Sequence, residues 1–312
     1  MSTDDLQPVA ANDHLVADFQ AYSAWRGHLS QSIAQLSRWL NEQDLNDSQT
    51  TLRIQGLLDR LKEDKLNIAF VAEFSRGKSE LINAIFFAHY GKRILPSSAG
   101  RTTMCPTELL FDAGRVPSLQ LLPIETRGNN VTTVEYRRYP EEWHSIALDI
   151  DDADSMQDAF KEIGRTQRVS VETAKRFGLY DEGDPDQVVA LDVHGEVEIP
   201  CWRHAMINFP HPLLEQGLVI LDTPGLNAIG TEPELTLNLL PNAHAILFIL
   251  AADTGVTKSD IEVWRNHIVR NQSGKRGRLV VLNKIDGLWD DLRTSAEIDA
   301  EIAKQVKTPL NY

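Results

Sequence analysis

The sequence is poor in several things, and each shortage removes a class of protein. Only two cysteines, Cys105 and Cys201, occur in 312 residues. No secretory signal accompanies them, so they read as free thiols in a reducing cytoplasm. A structural metal site needs about four ligands, which the pair cannot supply. Positive charge is also scarce, and the formal net charge is -14. A nucleic-acid or anionic-membrane surface would want clustered Lys and Arg, so no nucleic-acid partner is expected. The opening "MSTDDLQPVAANDH" is acidic and has no apolar run of the signal-peptide kind. Long hydrophobic runs are missing as well. The most apolar, "AHAILFILAA", is too short to span a bilayer and reads as a buried strand. There is no internal repeat and no low-complexity tract. What is present is a 42% share of hydrophobic residues, enough for a sizeable core.

From Asp13 the apolar residues Leu15, Phe19, Tyr22, Trp25, Leu29, Ile33, Leu36 and Leu40 recur at steps of three and four. That spacing predicts one long helix with a single apolar stripe. "DLNDSQT" ends it, and Ile54, Leu57, Leu58 and Leu61 mark a second helix. Such a hairpin cannot bury both stripes alone. It either packs on the following domain or joins a bundle completed by helices from elsewhere.

Beyond the hairpin, "LNIAFVA", "GLVILD", "AHAILFILAA" and "GRLVVLN" are short runs, apolar on both faces, that alternate with helical stretches. They predict an α/β fold with a mostly parallel sheet covered by helices on both faces. "VTTVEYRRY" and "EVEIPCWRHAMINF" read as less buried strands near an edge. Residues from about 112 to 197 do not fit the minimal pattern and read as an insertion. Its acidic patches "LDIDDAD" and "YDEGDPD" flank a helical stretch, "SMQDAFKEIGRTQ". Their spacing does not match a calcium-binding loop, so they read as helix caps and turns. The expected organisation is an N-terminal helical segment at 1–64 and an α/β domain at 65–312.

Chemistry enters with "VAEFSRGKSELINAI". A phosphate-binding loop needs Gly, four free positions, then Gly-Lys-Ser or Gly-Lys-Thr, between a strand and a helix. Gly77, Lys78 and Ser79 supply the second half; Ala72 replaces the first glycine and adds only a methyl. In such a loop successive backbone N–H groups face the phosphates. Lys78 would reach the β- and γ-phosphates, and the Ser79 hydroxyl would hold Mg²⁺. Ser75, Arg76 and Glu80 belong to the same nucleotide-binding stretch. "LVILDTPGLN" places Asp222 at a strand end, where it can hold a water on Mg²⁺, and Gly225, whose N–H can meet a γ-phosphate. "LVVLNKIDGL" places Asn283, Lys284 and Asp286 after a later strand. The Asp286 carboxylate can accept from N1–H and the 2-amino group of guanine, which adenine lacks. Lys284 can lie along the base, and Asn283 can tie the base loop to the phosphate loop. Three motifs in this order read as a GTP site.

Order and wording together resemble the dynamin superfamily of large GTPases, most closely its bacterial dynamin-like members. Four features carry the resemblance: "AEFSRGKS" with its serine Ser75, "GRTTMCPTEL" as a first switch with Thr103 before Pro106, the long gap from Thr103 to Asp222, and helices ahead of the GTPase domain. The resemblance implies a second protein ligand of Mg²⁺ at Thr103, with Thr102 as its competitor. It implies hydrolysis of GTP to GDP coupled to homodimerisation of GTPase domains. Ser75 would help to hold a monovalent cation, Na⁺ or K⁺, at that interface. Arg101 reads as a switch-loop or solvated charge. Arg76 would touch phosphate, cross the dimer interface, or face solvent. Membrane remodelling would involve regions beyond this chain, with the protein cytoplasmic or peripheral at the inner membrane.

Two departures bear on this. Ras-type enzymes place a water-orienting glutamine where this chain has Leu226. Dynamin relatives share that lack, so dimerisation would supply the orientation. The sequence also ends before the strand and base-closing loop that should follow "NKIDGL", and reads as an incomplete domain. The alternatives are a GTP-dependent switch with little hydrolysis and a fragment without activity.

Overall fold

The computed structural model describes residues 9–43, 45–62, 65–73, 75–96, 105–129, 131–180, 194–224, 240–269, 277–288 and 294–307. The chain divides into two units, 1–66 with 211–218, and 67–210 with 219–312.

In the first unit, α1 (Val9–Glu42) and α2 (Ser48–Lys62) pack against each other as a hairpin. Asp47 starts α2 by accepting from the Thr50 N–H at 2.5 Å, and this bond draws its carboxyl below the ordinary range. The predicted stripe on α1 is only partly covered: Tyr22, Trp25 and Leu36 remain 47%, 57% and 50% exposed.

The second unit is built on an eight-stranded sheet in the order β10-β9-β1-β8-β2-β7-β3-β4. Its strands are β1 (Leu66–Ala72), β2 (Thr107–Leu110), β3 (Ser118–Pro123), β4 (His144–Ala147), β7 (Trp202–Asn208), β8 (Leu218–Asp222), β9 (Ala245–Ala251) and β10 (Gly277–Asn283). β5 (Thr166–Ser170) and β6 (Glu196–Pro200) form a separate two-stranded sheet. The large sheet is parallel where β1, β9 and β10 meet, and antiparallel at β8–β2, β7–β3 and β3–β4. The apolar runs predicted as buried strands are β1, β8, β9 and β10; β8 is buried along its whole length, whereas β10, at the edge of the sheet, has no buried residue and leaves Leu279 60% exposed. Their side chains, including Val71, Leu221, Phe248 and Leu250, form one core cluster. α3 (Lys78–Phe86) follows β1 directly. α7 (Lys258–Val263) follows β9, and α8 (Ser295–Lys307) follows β10. Among the described residues no helix is long and apolar enough to cross a membrane.

Two expectations need correction here. "VTTVEYRRY" contains no strand: residues Thr133–Tyr136 form a helical turn, α4. Thr132 accepts from the Glu135 N–H while the Glu135 carboxylate accepts from the Thr132 N–H, and this reciprocal cap outweighs the β-propensity of the valines and threonines. "EVEIPCWRHAMINF" is two strands in two different sheets, and β7 is an interior strand rather than an edge, buried from Arg203 to Asn208. The segment from 112 to 197 is only partly outside the sheet, since β3 and β4 extend it. The remainder, with α6 (Val171–Arg176) and β5–β6, closes a satellite cluster of Ile124, Ala174, Phe177, Val197 and Ile199. The predicted helix of this stretch is α5, Ala153–Lys161.

Candidate nucleotide-binding site

The loop between β1 and α3 carries two left-handed residues, Ser75 at φ 65° and Gly77 at φ 82°. The second is what glycine permits, and it turns the chain into α3 with Lys78 as the first helical residue. No side chain caps this helix start. Its first N–H groups therefore stay available to an anion. A methyl at Gly77 would lie 2.5 Å from Nδ2 of Asn283. That crowding reflects a contact: Nδ2 of Asn283, at the end of β10, donates to the carbonyl of Arg76 at 2.9 Å.

Lys78 and Asp222 are brought together from the ends of neighbouring strands. Nζ lies 2.5 Å from Oδ1 as an ion pair, with both side chains below a tenth exposed. Neither atom has a further hydrogen-bond partner of good geometry among the described residues. Thr223, which follows Asp222, is buried and its hydroxyl donates to the Phe70 carbonyl at 2.8 Å, fixing the end of β8 to β1. The under-bonded Asp222 carboxylate and the Ser79 hydroxyl, one residue on from Lys78, make a hard-oxygen donor set. Mg²⁺ suits it, since this ion takes one or two protein oxygens and completes its shell with water and phosphate. Among the described residues no group of three or more His, Cys, Asp or Glu could hold a metal instead.

At the base end, Lys284 has φ 56°, and its Nζ donates to Asp253 at 2.9 Å. That bond pulls the Asp253 carboxyl below its ordinary range. Asp286 follows in an exposed single turn, Ile285–Leu288. Ser75 is exposed. Glu80 faces Arg93 at 3.0 Å on the surface. Thr102, Thr103, Arg101, Gly225 and Leu226 lie outside the described residues.

Arg76 does not face solvent, one of the positions expected for it. It is 2% exposed, and its Nη2 is committed to Glu73 at 2.7 Å and Asp260 at 2.9 Å within the protein. Glu73, Asp253, Thr257 and Asp260 were not legible as site residues. The only local sign was "TKSD", 257–260, which reads as a helix cap and does not announce its partner.

The Dynamin family profile matches residues 68–285, more than half of the chain and all of the site just described except Asp286. The chain belongs to the dynamin family. Among its relatives, a bacterial dynamin-like protein of Nostoc punctiforme is 22% identical over 310 residues, 96% of this chain and 37% of that protein. Dynamin-like protein 2 of Campylobacter jejuni is 25% identical over 256 residues, 80% of this chain and 31% of its own length. This dynamin-family chain therefore spans about a third of the length of these relatives. A solved oligomerised bacterial dynamin pair superposes with a TM-score of 0.47 at 16% identity, covering 92% of this chain and 35% of the solved one.

Proposed function

We propose that this chain binds GTP and hydrolyses it to GDP and phosphate in a Mg²⁺-dependent reaction. The observation that carries the reading is the convergence of Lys78, Asp222 and Asn283 on one loop. Lys78 and the uncapped amides at the start of α3 bind the β- and γ-phosphates. They stabilise the charge that builds on the bridging oxygen as water attacks in line. Ser79, Thr103 and, through water, Asp222 would hold Mg²⁺, which supplies neutralising charge at the phosphate oxygens. The Gly225 N–H senses the γ-phosphate. Asp286 reads the guanine edge, with Lys284 along the base and Asn283 fixing the distance between base loop and phosphate loop.

Leu226 cannot orient water, so turnover depends on a second GTPase domain facing the first. Ser75, exposed on the left-handed turn of the loop, would help to hold Na⁺ or K⁺ there. As in a dynamin-family protein, this cycle would drive membrane remodelling from the cytoplasmic side. The test is phosphate release from GTP over a hundredfold range of protein concentration, with Lys78→Ala alongside. Specific activity should rise with concentration, and Lys78→Ala should lose most GTP affinity or turnover. Ordinary GTP binding and hydrolysis by that variant would contradict the assignment of the loop.

A further inference from the structure

Arg76, in the phosphate loop, is tied down by both its side chain and its backbone. Its carbonyl accepts from Asn283, and its guanidinium is held by Glu73, in the same loop, and by Asp260, in α7. Asp260 is fixed in turn. Its Oδ2 accepts from the Thr257 N–H at 2.9 Å and from the Thr257 hydroxyl at 2.8 Å, the reciprocal cap of α7. Glu73 meets the hydroxyl of Ser259, also in α7. The Arg76 and Asp260 side chains are 2% and 0% exposed, so this link is screened from water. A buried guanidinium shared by two carboxylates is a rigid joint: removing Arg76 leaves two like charges facing each other, and removing Asp260 takes away its fully buried partner. The left-handed Ser75 beside Arg76 makes such a joint useful, since a residue other than glycine adopts that backbone shape only at a cost. The same segment, through Asp253, also grips Lys284 at the base end.

We propose that Asp260 is a positioning residue for the phosphate loop, acting through Arg76. The β9–α7 segment braces the loop, and Arg76 serves as its anchor. The proposal rests on the GTP-site reading only for its consequence in binding; the brace itself is a property of the protein alone.

The experiment reads loop position without nucleotide, as amide hydrogen exchange of the segment 73–79. Asp260→Asn can keep its oxygen at the Oδ2 position, with the amide nitrogen where Oδ1 has no partner among the described residues. It removes the charge and keeps the helix cap. Exchange in 73–79 should rise about tenfold, as expected for loss of a charge-assisted hydrogen bond, while β3 and β7 stay unchanged. Arg76→Gln should raise it further, because Glu73 and Asp260 are then like charges sharing a buried site. Combining Arg76→Gln with Asp260→Asn should restore part of the protection. Affinity for a fluorescent GTP analogue should follow the same order. Unchanged loop exchange in Asp260→Asn, or effects of the two substitutions that simply add, would overturn the proposal. If Asp260→Asn does not fold, Arg76→Lys against Arg76→Gln decides: equal loop exchange in both rejects a charge-dependent brace. Loop exchange that moves as expected in a wild-type chain that binds no GTP would sink the nucleotide reading and leave the brace standing.

Discussion

Gly77 shows how one missing side chain fixes the distance between two parts of a site. Its φ of 82° is open to glycine at little cost, and a Cβ there would press on Asn283 at 2.5 Å. Gly77→Ala should therefore push Asn283 off the Arg76 carbonyl and strain the turn into α3. The expected loss is about 1–3 kcal/mol in stability, from a strained backbone and a broken hydrogen bond. GTP affinity should fall with it. Thermal melts and nucleotide titration check this, and a variant that melts and binds like wild type would contradict the packing described. Lys78, Asp222 and Asn283 were legible in the sequence because each sits in a motif whose spacing is dictated by phosphate and base chemistry. The Arg76–Asp260 pair was not, because nothing local links residues 184 apart.

At the scale of elements, β1, β8, β9 and β10 were legible because strands apolar on both faces leave an unmistakable run. β7 was misread because Arg203, His204 and Asn208 make it look half solvated. Its buried polar side chains instead find partners inside, with the His204 Nδ1 alone of them lacking one among the described residues. His204 sits 3.1 Å from Glu108 on β2, and Arg137, just after α4, pairs with the same carboxylate. Burial alone would drive the Glu108 carboxyl up. The hydrogen bond and charge of His204, with the charge of Arg137, outweigh it and hold the group at about 2 against an ordinary 4.5. A carboxyl lowered on folding stabilises the fold above its ordinary value, and that stabilisation fades as pH falls from about 4.5 through about 2. A shift of this size corresponds to on the order of 3 kcal/mol. Glu108→Gln should melt well below wild type at pH 7 and approach it near pH 3. An equal gap at both pH values would remove Glu108 as the acid-sensitive link between β2, β7 and α4.

For the whole molecule, the three-motif order along the chain carried the family, and the sheet brings those motifs to the ends of β1, β8 and β10, with β9 between β10 and β1. The topology beyond β2, where antiparallel strands extend the sheet, left no such trace. Those strands are held by long-range pairing rather than by local pattern. The proposed recognition of guanine nucleotide by the converged loops rests on Asp286 as the base reader. Competition binding of GTP, ATP and xanthosine triphosphate to wild type and to Asp286→Asn tests it most directly. Asparagine replaces an acceptor pair with one acceptor and one donor, and xanthine O2 accepts where guanine donates. Wild type should prefer GTP over ATP, and Asp286→Asn should weaken GTP and favour xanthosine triphosphate. An unchanged preference for GTP in the variant, or equal binding of GTP and ATP by wild type, would contradict the account.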